Sequence, residues 1–497
     1  MKMESGHYLD NFNNQNKIFK ISNGLITIIL FSLTILIINL LFFTPEIHGY
    51  DEMAKWYAGK EFSEHFYIKN NHHSLRWGSW ITTLIFQSFK NGPIAYYVHN
   101  LLVLHISLII FAYVIFKLAG IVPSIIFLFV TNYNEWILWS GFQADITIET
   151  FLPLSLIILL IQKDVLKKNF YFIFFITISF YLYAVKETNI FFLPGVLYFI
   201  FRYYGIKKCV TFILIFIFFY FLETIFIKYF SFNNFSNFGR IFELINGPHI
   251  RDVKKIISSG DLSILGTSKT ELTLLDIVKN RWNFPGSRLI YLITFIGFIY
   301  AFFYNNKKKI LKKTEAFVMF LTLSFFFFHT FFIISINPLT PGQGFNYRYN
   351  VTIFPICVAF ISILIVNIFL LKGIKLVKIF SILIFLYLIG PTLKFIKTAH
   401  STLIRHSITQ VELNNEFLYD SFFSRVKYYG ELKKLIKNDD YCFTSAIHQR
   451  LNAVPFILGF YPYSSPPKYE FSINEKWVHS YKKRECKNIV DLDKNYK

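Results

Sequence analysis

The chain has 497 residues, 54% of them hydrophobic, 62 of them Phe, and only 16% charged. A soluble protein of this length carries more charge, so a water-soluble globular fold is excluded. The formal charge of +21 (51 basic less 30 acidic) comes from lysines grouped in short loops between apolar runs, which sets nucleic acid aside as a partner and makes the charge a topology signal.

The first apolar run, 18–43, is long enough to cross a bilayer at ~1.5 Å per residue. It is longer than a signal-peptide core and no small-residue cleavage site follows it, so it reads as a retained helix. Further spans are predicted at roughly 94–116, 121–137, 146–162, 169–185, 188–203, 209–228, 288–304, 316–336, 351–371 and 379–396, about eleven in all. Four basic clusters lie between them: Lys163, Lys167 and Lys168; Arg202, Lys207 and Lys208; Lys307, Lys308, Lys309, Lys312 and Lys313; and Lys372, Lys375 and Lys378. With the N-terminus inside, all four fall in the cytoplasm and the C-terminus falls outside. The expected fold is therefore an all-α polytopic membrane protein, with a small mixed α/β extracytoplasmic C-terminal region. Its domains are predicted as a transmembrane catalytic domain, 1–396, and an extracytoplasmic C-terminal domain, 397–497.

The segments placed outside are loop 44–93, Asn132 to Asp145, the turn at Lys186-Glu187-Thr188, loop 229–287, Asn337 to Asn350, and the C-terminal hundred residues. Loop 44–93 carries the adjacent acids Asp51 and Glu52 just beyond the first span. Met53 to His65 is predicted as a short helix. Leu75 to Phe89 presents Leu75, Trp77, Trp80, Ile81, Leu84 and Ile85 on one face, as an amphipathic helix lying in the interface would. In the C-terminal region Thr409 to Lys437 has helical spacing and Tyr461 to Pro467 is turn-like. Cys442 and Cys486 can pair if that region faces an oxidising compartment.

Ionisable groups at a membrane edge are costly and mark function. On the outer side these are Asp51, Glu52, His72, His73, Arg76, Asp145, Glu149, Lys186, Glu187, Arg348 and Tyr349. A carboxylate there takes a proton from an acceptor hydroxyl or holds a divalent cation, so metal dependence stays open. Lys and Arg neutralise a phosphate leaving group. Together they suit group transfer from a lipid phosphate. The plain readings are a helix N-terminus for Asp51 and Glu52, a helix cap for Asp145, membrane-edge anchors for Arg76 and Arg348, a self-paired turn at Lys186-Glu187, and interfacial residues for His72 and His73, which lack metal-ligand spacing.

With these residues in order, the chain resembles the GT-C superfamily of membrane glycosyltransferases, in its protein O-mannosyltransferase and lipid A aminoarabinose transferase branch. The matching pieces are Gly49-Tyr50-Asp51-Glu52 after the first span and the His72 to Gly78 stretch. Asp145 at the opening of the fourth span, Lys186-Glu187-Thr188 before Phe191-Phe192-Leu193-Pro194, and Asn346-Tyr347-Arg348-Tyr349 before Pro355 complete the set. The resemblance covers most of 18–371. It implies a polyprenyl-phosphate sugar as donor, an inverting transfer outside the plasma (inner) membrane, and a lipid, glycan or protein acceptor. It also implies roles: Asp51 as catalytic acid-base or metal-adjacent carboxylate with Glu52 in support, Asp145 as a second acid near the acceptor, Lys186 and Arg348 on the donor phosphate, and His73, Arg76 and Tyr349 in support. The C-terminal hundred residues match no element of that family, and no acceptor-sequon motif of oligosaccharyltransferases is present. Arg240, Arg251, Arg281 and His249 in loop 229–287 keep an O-antigen-type polymerase or ligase as the alternative. A lipid-linked sugar transporter fits less well, because internal repeats and midplane charges are absent from the pattern.

Overall fold

The computed structural model describes residues 17–42, 50–68, 72–87, 92–134, 137, 147–231, 312–336, 351–370 and 386, with four strand segments between 441 and 491. Asp51, Glu52, His72 and His73 are described in their backbone only. The expected spans at 288–304 and 379–396 (apart from residue 386), most of loop 229–287, and Thr409 to Lys437 lie outside the described residues.

The apolar runs form helices. α1 spans Lys17–Phe42, α6 spans Gly92–Ala119, α7 spans Ile121–Asn132, α8 spans Thr147–Gln162 and α9 spans Asn169–Val185. α10 spans Leu193–Phe230, α11 spans Lys313–Ile336 and α12 spans Phe354–Leu370. Between α1 and α6 lie α2 (Tyr50–His65), α3 (His72–Leu75), α4 (Trp77–Trp80) and α5 (Leu84–Gln87). Among the described residues three stretches are long and apolar enough to cross a membrane: Asn23–Leu40, Val98–Ala119 and Glu187–Phe230.

The outer faces of these helices meet an apolar solvent. α1 exposes Ile26, Leu30, Leu33 and Ile37 while it buries Ile28, Ser32, Ile35 and Asn39. Both stripes recur every three or four residues, with the polar pair on the buried side. That is the inverse of a helix on a water-soluble core. Ser32 Oγ lies 2.9 Å from His105 Nδ1 on α6, inside the bundle. α10 repeats the pattern, with Val210, Leu214, Ile217, Phe221 and Ile225 exposed and Cys209, Phe212, Glu223 and Ile227 buried.

Two glycines make the reversals. Gly120 (φ 94°) follows α6, and its N–H closes on the Phe116 carbonyl, 3.0 Å away. With ψ at −174° this is positive-φ extended backbone, which Gly adopts without steric cost. Gly205 (φ 82°) interrupts α10. Cys209 Sγ approaches the Leu197 carbonyl oxygen to 3.8 Å, whereas a straight helix would hold those residues ~18 Å apart. α10 is therefore a helical hairpin, as the two separate runs 188–203 and 209–228 predict. Its first arm packs Phe199 against Phe317 of α11 (4.7 Å between ring centroids) and its second packs Phe212 against Phe175 of α9 (6.1 Å). Pro194, with its preset φ, starts the first arm.

One end of the bundle is basic. Lys313 Nζ donates to Asp164 Oδ1 (2.7 Å), as does the Tyr204 hydroxyl (3.2 Å). Lys208 Nζ donates to Asn169 Oδ1 (2.8 Å), and Lys312 Nζ donates to the Leu118 carbonyl (3.4 Å). Described residues from three of the sequence's basic clusters thus share this end, while Lys307 to Lys309 and the fourth cluster, at Lys372, lie outside the described residues. The Lys313 ammonium bonded to Asp164 holds its carboxyl below the usual carboxylate range, against a smaller opposing effect of burial. Asp164 sits in left-handed backbone (φ 50°), which Asn also tolerates, so Asp164→Asn removes charge alone. A depressed carboxylate stabilises above its unfolded pKa of about 3.9 and loses that contribution as pH falls through the folded value. The variant should melt slightly below wild type at neutral pH, by no more than about 1 kcal/mol for so exposed a pair. The two melting curves should converge once the pH has fallen below the depressed folded value, and a gap that persists in acid would refute the electrostatic account.

The strands form a separate element: β1 (Tyr441–Ser445), β2 (Tyr469–Ile473), β3 (Lys476–Ser480) and β4 (Asn488–Asp491), in sheet order β2-β3-β1-β4. β1 pairs antiparallel with β3 (Thr444 opposite Val478) and parallel with β4 (Cys442 opposite Ile489). Cys486 lies outside the described residues.

Candidate functional site

At the end opposite the basic loops, the segment after α1 folds onto the bundle. α2 carries Asp51 and Glu52 in its first turn, where acids oppose the helix dipole favourably. One turn later, on the same face, comes Lys55. Its side chain is fully buried, with Nζ 2.6 Å from Glu149 Oε1 and 2.7 Å from Asn100 Oδ1. Glu149 stands in the first turn of α8 and is 1% exposed. His99 Nδ1 lies 3.1 Å from Asn100 Oδ1, and His99 Nε2 lies 2.9 Å from Thr82 Oγ1. An amide oxygen only accepts, so His99 Nδ1 carries the proton toward it. One polar network thus joins α2, the turn at Thr82, the start of α6 and the start of α8.

α2 is held by packing as well. Trp56 and Ala58 are buried, and the Phe62 ring lies 5.0 Å from Trp80 and 5.4 Å from Phe230. A Cβ at Gly59 would sit 2.5 Å from Thr83 Oγ1, so only Gly lets α2 approach this closely.

The single amphipathic helix expected over Leu75 to Phe89 is instead broken. Arg76 leaves helical geometry (ψ 56°), α4 follows, and a 3-10 turn over Ile81–Thr83 leads into α5. Hydroxyls take the backbone acceptors: Ser79 Oγ donates to the Arg76 carbonyl (2.7 Å) and Thr83 Oγ1 to the Trp80 carbonyl (2.5 Å). The break turns Arg76 onto Glu187, to which it donates through both Nε (2.8 Å, to Oε2) and Nη2 (to Oε1). This fork is the strong geometry for Arg and a carboxylate. Arg76 is therefore not a simple headgroup anchor, and Glu187 pairs across the site with Arg76.

Lys186 ends α9 in extended backbone and is buried, as is Glu187. Asn189 caps the turn, its N–H on the Lys186 carbonyl (2.9 Å), and its side-chain amide reaches Thr150 Oγ1 next to Glu149 (3.1 Å). The Lys186 turn, Arg76 and the first turn of α8 thus meet at one end. Asp145, Arg348 and Tyr349 lie outside the described residues, and the side chains of Asp51, Glu52 and His73 are not described.

Trp77, next along the chain from Arg76, and Tyr181 line a cavity of about 490 Å³, within the size range of small-molecule pockets. Its walls are apolar, among them Ile81, Leu152, Leu156, Ile178, Phe219 and Phe226, with Glu223 at one edge accepting from Trp77 Nε1 (2.6 Å). Thr177 and Ile178 lie about 12–14 Å along α9 from its basic end, and Glu223 about 27 Å from Gly205, at ~1.5 Å per residue. Against ~30 Å of hydrocarbon, the cavity wall therefore runs from near mid-depth to the Arg76 end. Pro153 lines it. A proline there has no N–H to return to the Glu149 carbonyl.

Among the described residues no group of His, Cys, Asp and Glu is arranged to hold a metal ion. The sequence reading passed over Lys55 and Glu223, and gave Glu149 no role. Their signals were a lysine one turn after Asp51 and a lone acid inside an apolar run. Compared with known proteins, the chain matches no family model and no curated protein.

Proposed function

We propose that the chain is an integral membrane glycosyltransferase that moves a sugar from a polyprenyl-phosphate donor to an acceptor outside the plasma (inner) membrane. The observation that carries this reading is the apolar cavity walled by Trp77 and Tyr181, with the Arg76–Glu187 pair joined to it along the chain through Trp77, an arrangement suited to the apolar chain of an amphiphile. About eleven spans, a cytoplasmic N-terminus at the basic end and an extracytoplasmic active site complete the proposal.

In the proposed reaction Asp51, supported by Glu52, takes the proton of the acceptor hydroxyl. The hydroxyl oxygen attacks the anomeric carbon with inversion. The bond from that carbon to the phosphate oxygen breaks, and the electron pair leaves with the polyprenyl phosphate. Lys186 and Arg348 neutralise the departing phosphate. Asp145 lies near the acceptor, and His73, Arg76 and Tyr349 support the site.

Native mass spectrometry of the purified protein, incubated with a polyprenyl phosphate, is the test. Wild type is expected to retain the lipid. Lys186→Ala and Arg348→Ala should lose it through the head, and Leu156→Trp should lose it by filling the cavity. Retention of bulk phospholipid only by folded wild type would overturn the reading. The alternative, a glycan polymerase or ligase, rests on Arg240, Arg251, Arg281 and His249; loss of activity confined to variants of these residues, with Asp51→Asn active, would favour it.

A further inference from the structure

We infer that Lys55 and Glu149 form a positioning pair that sets the carboxylate-bearing N-terminus of α2 against the start of α8. The inference deepens the proposed function and, for its catalytic consequence, rests on it. Lys55 follows Asp51 by four residues on α2, and Glu149 follows Asp145 by four at the entry to α8. The 2.6 Å contact between Lys55 Nζ and Glu149 Oε1 therefore ties α2, which bears Asp51 and Glu52, to the first turn of α8.

Packing alone does not call for this pair. Both side chains are fully buried, and desolvating two charges cancels most of what their attraction returns. An apolar pair of similar size would hold α2 at least as firmly. What an ion pair adds is direction: Lys55 binds α2 correctly only where Glu149 Oε1 and Asn100 Oδ1 both lie within reach of one ammonium. Asn100 is oriented in turn by His99, and His99 by Thr82. A slip of α2 by one residue rotates Lys55 by about 100° off that site, and Asp51 and Glu52 rotate with it. Phe62, Trp56 and Gly59 supply area and closeness; the charged pair supplies the register.

The test is hydrogen exchange by mass spectrometry on the full chain in lipid nanodiscs, comparing wild type with Lys55→Met and Glu149→Gln. Peptides from 50–65 should exchange about a hundredfold faster in both variants, as a local unit that has lost its lock. Peptides from the middle of α6 and α9 should keep wild-type protection. Unchanged protection of 50–65 in both variants would overturn the inference, and so would loosening of all three helices together, which would make the pair a general stabiliser. In parallel, transfer from a synthetic polyprenyl-phosphate hexose should show kcat reduced in Glu149→Gln with the donor KM retained. Wild type without transfer would sink the glycosyltransferase reading, while the exchange result would still decide the pair.

Discussion

Asp51→Asn is expected to cut transfer from a polyprenyl-phosphate sugar by about 10²–10⁴-fold, the usual contribution of a general base. Asn keeps the shape of Asp and remains acceptable at the start of a helix, so α2 should fold and dock as before. Lys55, Trp56 and Phe62, which hold the helix down, are untouched. Retained lipid in native mass spectrometry, alongside lost turnover, would separate a chemical defect from a binding defect. A variant working at more than about a tenth of the wild-type rate would remove Asp51 from the base role. The same measurement on Glu52→Gln should show the smaller loss of a supporting group.

The second large effect is steric. Gly78→Ala should displace α4 from the end of α9, because the new Cβ would lie 2.6 Å from the Val185 nitrogen and 2.7 Å from the Ala184 carbonyl carbon. Both are backbone atoms and cannot swing aside as a side chain would. Overpacking of this kind costs about 1–3 kcal/mol, and more here if the Arg76–Glu187 fork and the bond from the Tyr181 hydroxyl to the Gly78 carbonyl (2.8 Å) are lost with it. Gly120→Ala is the control. Its φ of 94° is unfavourable for alanine, yet no atom lies within 4 Å of the added Cβ, so only backbone strain of about 1–3 kcal/mol remains. Thermal melting and donor retention should both fall in Gly78→Ala, and only melting, modestly, in Gly120→Ala. Equal behaviour of the two would mean that the contact between α4 and α9 does not govern the site.

Individual residues show how far the amino-acid order could be read. The apolar runs beginning near Ile18 and Ile94 and at Asn169 became helices within a few residues of their expected limits, while the run from Ile121, expected to reach 137, ends at Asn132. A helix in lipid satisfies its own backbone, so an unbroken apolar run leaves few alternatives. The basic segment Arg202 to Lys208 between two such runs marked a reversal, and the basic residues around Asp164 and at Lys312 and Lys313 marked further loops at the same end. The short helix after Asp51 was also legible, from its aromatic and acidic residues.

Loop 44–93 was harder to read. Leu75 to Phe89 has the periodicity of one amphipathic helix and folds as several short turns, because Ser79 and Thr83 bond to nearby carbonyls and Arg76 is drawn to Glu187. That partner is 111 residues away along the chain, and no local pattern encodes it. Lys55 is the sharper case. On sequence it is a lysine in a polar loop, the residue type most often found at the surface. In the fold it is fully buried between Glu149 and Asn100.

The sequence by itself determined that this is a helical protein built for an apolar solvent, roughly where its described long helices lie, and which of its loops carry the positive charge. These follow from composition and from hydrogen bonds made within single segments, which depend on near neighbours alone. Only the tertiary structure decided that Lys55 meets Glu149, that Arg76 forks onto Glu187, and that Trp77 and Glu223 edge an apolar cavity. Those contacts join residues 94, 111 and 146 positions apart. They exist because helix packing brings the ends of α2, α8, α9 and α10 together, and buried charges must then find partners among whatever groups that packing supplies.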